Sequence, residues 1–305
     1  MKKLIKFIKL KLKEPYIFLI GEEKWAMRKY KKSIGKIPNL TSPEGLNEKI
    51  VWLKLHYNEE FYRKACDKYL LHDYLKEKLG KDYAPELLFV TQNPNELTVD
   101  NIKKFPCIIK VSNGSGANLI VKNKNQYSND YLQGFFKEQI IVSNAHAVSS
   151  LEHQYLTKNP YIVVEKLLSD GKGGIPNDYK FLFINGKLQF IYCSVDRLGD
   201  NVRQIYNEHW ERQHFIWVAG ANREMFDKYD SSPSIDKPVT FDKMIELANI
   251  IAKDFPLVRV DFYEENGIPY IGEITLHHGS GGDAFYPEKY DLFYGEKLKL
   301  PKANR

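Results

Sequence analysis

The chain has 305 residues, 43% of them hydrophobic, enough to bury large cores and to form two or three lobes rather than one small domain. Its formal charge of +6 sits at one end: six lysines (Lys2, Lys3, Lys6, Lys9, Lys11, Lys13) precede Glu14, and the rest carries 39 basic and 39 acidic residues. A neutral body argues against a nucleic-acid face spread over the fold, and no apolar run is long enough for a signal peptide or a membrane span.

In chain order, residues 1–20 form a basic amphipathic segment. On a helical wheel Leu4, Ile5, Phe7, Ile8 and Leu12 share one arc, with Lys2, Lys6, Lys9 and Lys13 opposite. Two readings stand: an interfacial helix drawn to anionic lipid, or a lysine-rich helix resting on the body. Residues 21–105 read as mainly helical. Ser42-Pro43-Glu44 is expected to start a helix with a hydroxyl cap, and the run from Phe61 to Leu79 to stop at Gly80.

After Pro106 the texture changes. "CIIKVS" and "NLIVK" are short strands flanking "NGSGA"; two helical stretches follow, then the strand "YIVVE" ending at Glu165. The glycine-rich "SDGKGGIPN" leads into the hairpin "DYKFLFI", Asn185-Gly186, "KLQFIYCSVDR". Phe241, Met244, Ile245, Ala248 and Ile251 share one helical face, expected to pack against a final hairpin. Cys66, Cys107 and Cys193 are few, odd in number and far apart, which fits a reducing cytoplasm and no zinc site.

That final hairpin, "VRVDFYEENGIPYIGEITLHHGSGG", places Arg259 and Asp261 on one strand and Glu273 and Thr275 on the next. A three-residue loop, Glu265-Asn266-Gly267, makes the two apolar faces coincide and puts all four polar residues on the other face. They read either as a solvated surface with an ordinary ion pair or as a metal and phosphate site, two carboxylates and a hydroxyl being hard ligands suited to Mg²⁺. Lys110, in an otherwise apolar strand before Asn113-Gly114-Ser115-Gly116, needs an anion to offset its burial; phosphate would serve. Glu165-Lys166 precedes a glycine-rich crossover, and Asp178 and Lys180 share a strand face, with Arg197 ending the next strand.

In this order, "DKYLLHDYLKEKLG", "IIKVSNGSGANLIVK", "PYIVVEKLL", "DYKFLFINGKLQFI", Asp196-Arg197, "FPLVRVDFY" and "IGEITLHHGSGG" resemble the ATP-grasp superfamily, and more closely the TupA-like ATP-grasp proteins of polysaccharide biosynthesis. The resemblance spans about residues 67–282 and favours the metal and phosphate reading of the hairpin. It implies an α+β ATP-grasp fold in which two lobes with antiparallel sheets grip ATP: lobe 1 at 106–168 with the glycine flap, and lobe 2 at 169–305 with the metal and acceptor site.

The resemblance further implies that Lys110 touches the α- and β-phosphates, and that Gly114, Ser115 and Gly116 form a mobile flap. Glu165, Lys166 and Leu168 would hold adenine and ribose. Asp261 and Glu273, with Thr275 as third ligand, would hold Mg²⁺, while Arg259 stabilises the transferring phosphoryl group. Lys68 and Asp178 join as nucleotide contacts, Lys180 and Arg197 as catalytic cations, and Gly279, Ser280 and Gly281 as acceptor contacts. Two positions depart from the pattern: Thr275 stands where most ATP-grasp enzymes have asparagine, and Ser112-Asn113 where TupA-like flaps usually read Asn-His.

The expected activity is that of an ATP-dependent carboxylate–amine ligase, joining a carboxylate-bearing glycan or sugar precursor to a small amine or amino acid. The alternatives are an ATP-grasp phosphotransferase, a glycosyltransferase and a non-catalytic nucleotide- or glycan-binding module. The expected location is the cytoplasm, at the inner face of the membrane if residues 1–13 bind lipid.

Overall fold

A computed structural model of the chain describes residues 13–114, 116, 118–195 and 202–305. Most of the basic segment, Ser115 and Asp196-Arg197 therefore lie outside the described residues. The chain opens with helices α1 (Lys13–Ile20), α2 (Glu22–Ile34), α3 (Leu46–His56), α4 (Tyr62–Cys66) and α5 (Leu71–Leu79).

Two of these differ from the sequence expectation. Helix α3 starts at Leu46 instead of near Ser42: Gly45 takes the capping position, and Asp291 Oδ1 accepts from the Asn47 N–H at 2.9 Å. A distant carboxylate does there what a local hydroxyl was expected to do. The run from Phe61 to Leu79 is broken at Asp67, whose Oδ1 accepts from the N–H groups of Tyr69 (3.0 Å) and Leu70 (3.2 Å). Such a local bond competes with helix propagation. The break frees the Lys68 N–H to donate to the Ser112 carbonyl at 3.1 Å, which draws Lys68 toward the centre of the molecule.

Strands β1 (Leu87–Thr91), β2 (Cys107–Val111), β3 (Leu119–Val121) and β4 (Ile162–Lys166) pair antiparallel in the order β1-β4-β2-β3. Between β3 and β4 runs α6 (Asn129–Ser150), one helix of 22 residues where two stretches were expected. Ser128 Oγ caps it, accepting from the Tyr131 N–H, and no proline interrupts it. Leu132 and Phe136 of α6 pack on Ile109, Val111, Ile162 and Val164, all buried.

The rest of the chain adds β5 (Asp178–Ile184), β6 (Lys187–Val195), β7 (Val202–Tyr206), β8 (Arg212–Gln213), β9 (Ile216–Val218), α7 (Arg223–Asp230), α8 (Phe241–Ala252), β10 (Leu257–Glu265), β11 (Ile268–Thr275), β12 (Ala284–Tyr286) and α9 (Lys289–Lys297). Six of these strands form an antiparallel sheet in the order β11-β10-β5-β6-β7-β8, and β9 pairs with β12. Period-two alternation gives the large sheet two different faces. Phe181, Phe183, Val258, Val260 and Phe262 meet Phe241, Met244, Ala248 and Ile251 of α8, the helical face read from the sequence. The other face begins polar, with Asp178 and Lys180, and turns apolar at Leu182 and Ile184, which pack with Leu46 and Ile50 of α3 and Tyr294 of α9.

The β10–β11 turn corrects the sequence reading. Glu265 pairs with Ile268, so the loop has two residues, and Asn266 and Gly267 both have positive φ, 53° and 71°. That is the tight Asn-Gly hairpin turn. The compensating residue is a bulge further along, at Gly272, where the register shifts between the Phe262–Ile271 and Asp261–Glu273 pairs. A Cβ on Gly272 would stand 2.3 Å from the Tyr263 ring, which lies over the bulge. The polar residues still share a face, Arg259 opposite Thr275 and Asp261 opposite Glu273.

Gly295 of α9 packs directly on the start of α3: a Cβ there would meet Glu44 O at 2.0 Å and Leu46 N at 2.8 Å, both backbone atoms. Gly295→Ala is expected to lower stability by at least about 1–3 kcal/mol, read as a lower denaturant midpoint at unchanged m-value.

Candidate active site

The polar face of the large sheet gathers most of the residues singled out in the sequence. Asp261 is 1% exposed. Its Oδ1 accepts from Arg259 Nε at 2.6 Å, and its Oδ2 from Arg259 Nη2 and Lys180 Nζ, both at 2.7 Å. Lys180, which pairs in register with Asp261 across β5 and β10, also donates to Asp178 Oδ2 at 2.6 Å. Opposite Asp261, Glu273 Oε1 accepts from Lys68 Nζ at 3.3 Å, and Arg259 Nη2 lies 3.8 Å from its Oε2. Lys68 also donates to the Gly114 carbonyl at 2.7 Å, which ties the first residue of the expected flap to the carboxylate pair. Thr275 Oγ1 accepts from Arg259 Nη2 at 3.1 Å.

Electrostatics keeps both carboxylates charged. Burial alone would raise the Asp261 carboxyl, but Arg259 and Lys180 outweigh it and hold the group down at about 2. Burial likewise opposes ionisation of Glu273, and Lys68 leads the cations that lower it. Arg259 is raised despite burial, by Asp261 first and then Glu273.

The second group lies at the smaller sheet. Lys110 Nζ donates to Glu165 Oε2 at 2.6 Å, and both residues are buried. The anionic partner that the sequence demanded for Lys110 is thus supplied by the neighbouring strand β4. Both line a slot of about 200 Å³ whose other walls include Ile108, Ile120, Leu168, Ile175 and Tyr263. Lys166 also lines it, with its ammonium bound to Glu265 at the end of β10. The second Glu265 oxygen, Oε1, accepts from the Ser169 N–H at 2.9 Å, so one buried carboxylate fastens the crossover onto the large sheet.

A second cavity, of about 430 Å³, opens on the other side of the carboxylates and is lined by Arg259, Glu273, Thr275, Gly114, Gly279, Ser280 and Gly281. Gly116 is exposed, has φ 88° and lines neither space. The sequence reading missed Lys54, a lysine inside the apolar helical run "IVWLKLH". Its buried ammonium donates to Ser280 O (2.7 Å), Ser280 Oγ (2.8 Å) and Ser150 O (3.0 Å), bracing the loop at 279–282 against the end of α6. Burial lowers its pKa to about 8, the nearby Glu152 opposing that shift. Also missed were Tyr263 and Ile175 in the slot, and His278 and Asp283 beside Arg259.

These residues fit Mg²⁺ and ATP. Among the described residues no three His, Cys, Asp or Glu side chains converge as a complete metal cage. Two charged carboxylates in register are the half-site expected for Mg²⁺, which completes its shell with phosphate oxygens and water. An apolar slot with a lysine at one side suits a base and its phosphates.

Residues 48–299 match the family described as TupA-like ATPgrasp. Solved structures with similar folds include D-alanine--D-alanine ligase from Bacillus anthracis (15% identity, 76% of this chain and 59% of that one, TM-score 0.37) and from Helicobacter pylori (16%, 78% and 61%, 0.42). L-amino acid ligase from Bacillus licheniformis is a third (11%, 86% and 59%, 0.43). The chain spans about three fifths of the length of these structures. No curated protein matches. The family match covers the apolar slot, the paired carboxylates and the glycine-rich loop at 279–282 in one continuous stretch, and the chain belongs to the TupA-like ATP-grasp family.

Proposed function

We propose that the protein is an ATP-dependent carboxylate–amine ligase that amidates a uronic acid, or a similar carboxylate, of a surface polysaccharide or its precursor. The observation that carries this reading is the position of the Asp261–Glu273 pair. Lys68, Lys180 and Arg259 surround them, Glu273 and Arg259 line a cavity large enough for an acceptor, and Lys110 and Glu165 line a separate apolar slot.

In this reading Glu165, Lys166 and Leu168 hold the adenosine and Lys110 contacts the phosphates. Asp261, Glu273 and the Thr275 hydroxyl hold Mg²⁺, which when bound neutralises phosphate charge. Arg259 offsets the charge that develops as the γ-phosphoryl group passes to the acceptor carboxylate. Lys180 keeps Asp261 ionised and in place. Lys68 links Glu273 to Gly114, so the flap residues Gly114, Ser115 and Gly116 close from a fixed root and exclude water from the acylphosphate. Gly279, Ser280 and Gly281 shape the acceptor cavity, Asp178 contacts the nucleotide, and Arg197 serves with Lys180 as a catalytic cation. An amine then attacks the acyl carbon, the C–O bond to phosphate breaks, and the amide and inorganic phosphate result.

The decisive experiment supplies Mg·ATP and a panel of uronic acids with hydroxylamine as a generic amine. Hydroxamate should form in step with ADP; ADP without hydroxamate would mean phosphotransfer or uncoupled ATP hydrolysis instead. Asp261→Asn and Glu273→Gln should each slow ADP formation by about 100-fold or more, the scale on which single groups that stabilise transferring charge act. Wild-type rates in either variant would remove the metal assignment.

Membrane attachment is part of the same proposal. Phe18 and Leu19 of α1 are 91% and 81% exposed, directly after the lysine-rich residues 1–13. Adjacent apolar side chains and a polybasic stretch are the two signals that together hold a protein at an anionic bilayer. Among the described residues no helix is long and apolar enough to cross one. The full chain should sediment with anionic vesicles, and deleting residues 1–13 should abolish this; unchanged sedimentation would refute the attachment.

A further inference from the structure

Arg259 has five N–H groups, and among the described residues four have acceptors. Nε and one Nη2 hydrogen go to Asp261, the other Nη2 hydrogen to Thr275 Oγ1 at 3.1 Å, and one Nη1 hydrogen to His278 Nδ1 at 2.7 Å. Arg259 lines the 430 Å³ cavity, and the remaining Nη1 hydrogen is the one left for a ligand.

The histidine contact is chemically directional. A guanidinium only donates, so Nδ1 must carry the lone pair and the imidazole must be the neutral Nε2–H tautomer. Nε2 lies 3.0 Å from Asp283 Oδ2, a close polar contact outside hydrogen-bonding geometry, so the buried Nε2 has no hydrogen-bond partner among the described residues. The ring is also clamped: Trp217 stacks on it at 3.9 Å between centroids and 29° between planes, and the Trp217 indole N–H donates to the Asp283 carbonyl at 3.1 Å. Burial lowers the His278 pKa, which favours the same neutral form.

The glycines of this loop gain a second explanation. Gly279, Ser280 and Gly281 all have positive φ (53°, 56° and 76°), so the chain turns back within three residues and returns Asp283 to the imidazole. A Cβ on Gly279 would stand 2.4 Å from Asp283 Cγ, so glycine here admits the carboxylate.

We propose that His278, backed by Asp283, is a positioning residue that fixes the Arg259 guanidinium with one Nη1 hydrogen turned to the cavity, and that the Gly279–Gly282 turn serves to complete this Asp283–His278–Arg259 chain as much as to touch an acceptor. Its consequence for rate rests on the ligase reading; the tautomer and the brace do not. Without the imidazole the guanidinium keeps Asp261 and Thr275 but loses the contact that holds its Nη1 edge. A group that acts on a transition state by orientation then acts less well, while nucleotide affinity stays nearly constant.

The first test uses the ligand-free full chain. With ¹⁵N-labelled histidine, His278 should report the neutral Nε2–H tautomer at neutral pH, whereas an Nδ1–H tautomer or an imidazolium would overturn the proposal. The second uses ADP formation. His278→Ala should lower kcat roughly 10- to 100-fold, the range seen when partners that orient a site's ligands are removed, with KM for ATP held within about twofold. His278→Asn should restore most of the loss, because its Oδ1 can accept where Nδ1 did, and His278→Gln should not. A wild-type rate for His278→Ala, or a His278→Asn variant as slow as His278→Ala, would overturn it. Should His278→Ala fail to fold, Asp283→Ala, which leaves no acceptor facing Nε2, should still lower kcat at constant KM, and an unchanged kcat would remove Asp283 from the chain. A wild-type protein that releases no ADP would count against the ligase reading alone, and the tautomer would still decide the positioning role.

Discussion

A carboxylate at 1% exposure, Asp261, is the constraint around which the large sheet is organised. Removing an ion from water costs several kcal/mol even after relaxation, and the cost is offset only by well-placed opposite charge with its hydrogen bonds satisfied. Here the compensation comes from its own strand through Arg259 and from the neighbouring strand through Lys180. A slip of one residue between β5 and β10 would carry Lys180 to the apolar face and leave Asp261 without that partner. The two-residue turn and the bulge at Gly272 impose the same condition on β11, since together they keep Glu273 opposite Asp261 while Ile271 and Ile274 both stay in the core.

The smaller sheet solves a similar problem in miniature. Lys110 and Glu165 sit on adjacent strands, both buried, 2.6 Å apart. Removing either alone would strand the other charge, a loss of about 3–5 kcal/mol for buried pairs. Glu265 then joins the two sheets, since one carboxylate accepts from the Lys166 ammonium and from the Ser169 N–H of the crossover. The slot is therefore framed by ion pairs on both sides and by apolar side chains across its faces, and its width depends on contacts made outside it.

How much of this was legible in the sequence depended on range. The alternation in "VRVDFY" and "IGEIT" placed Arg259, Asp261, Glu273 and Thr275 on one face, and the lysine in "CIIKVS" announced a buried cation in need of an anion. The turn was misread because the choice between a longer loop and a bulge is made by the Tyr263 ring closing over Gly272, a contact that spacing does not encode. The break at Asp67 was invisible because its carboxylate is held by Ser112, 45 residues away, through a 2.6 Å bond from Ser112 Oγ. Strand β1 sits at a sheet edge within a mostly helical stretch, and its partner β4 lies far along the chain. His278 and Asp283 were in plain view in "LHHGSGGD", yet their role requires three consecutive left-handed residues that bring them together.

Charge balance links these observations to the proposed chemistry. On the polar face Lys68, Lys180 and Arg259 stand against Asp178, Asp261 and Glu273, and at the slot Lys110 stands against Glu165, so in the free protein the site is neutral. In the proposed reaction a divalent cation at Asp261 and Glu273 would compete with Lys68, Lys180 and Arg259 for those oxygens and turn the lysine ammonium groups toward the phosphates. In that proposed state the same cations would have a partner before and after binding, so their burial stays compensated. Arg259 differs from the lysines in that, besides its two bonds to Asp261, it also donates to Thr275 and His278. In the proposed reaction a guanidinium held from several sides in this way is suited to meet the charge that develops on the transferring phosphoryl group.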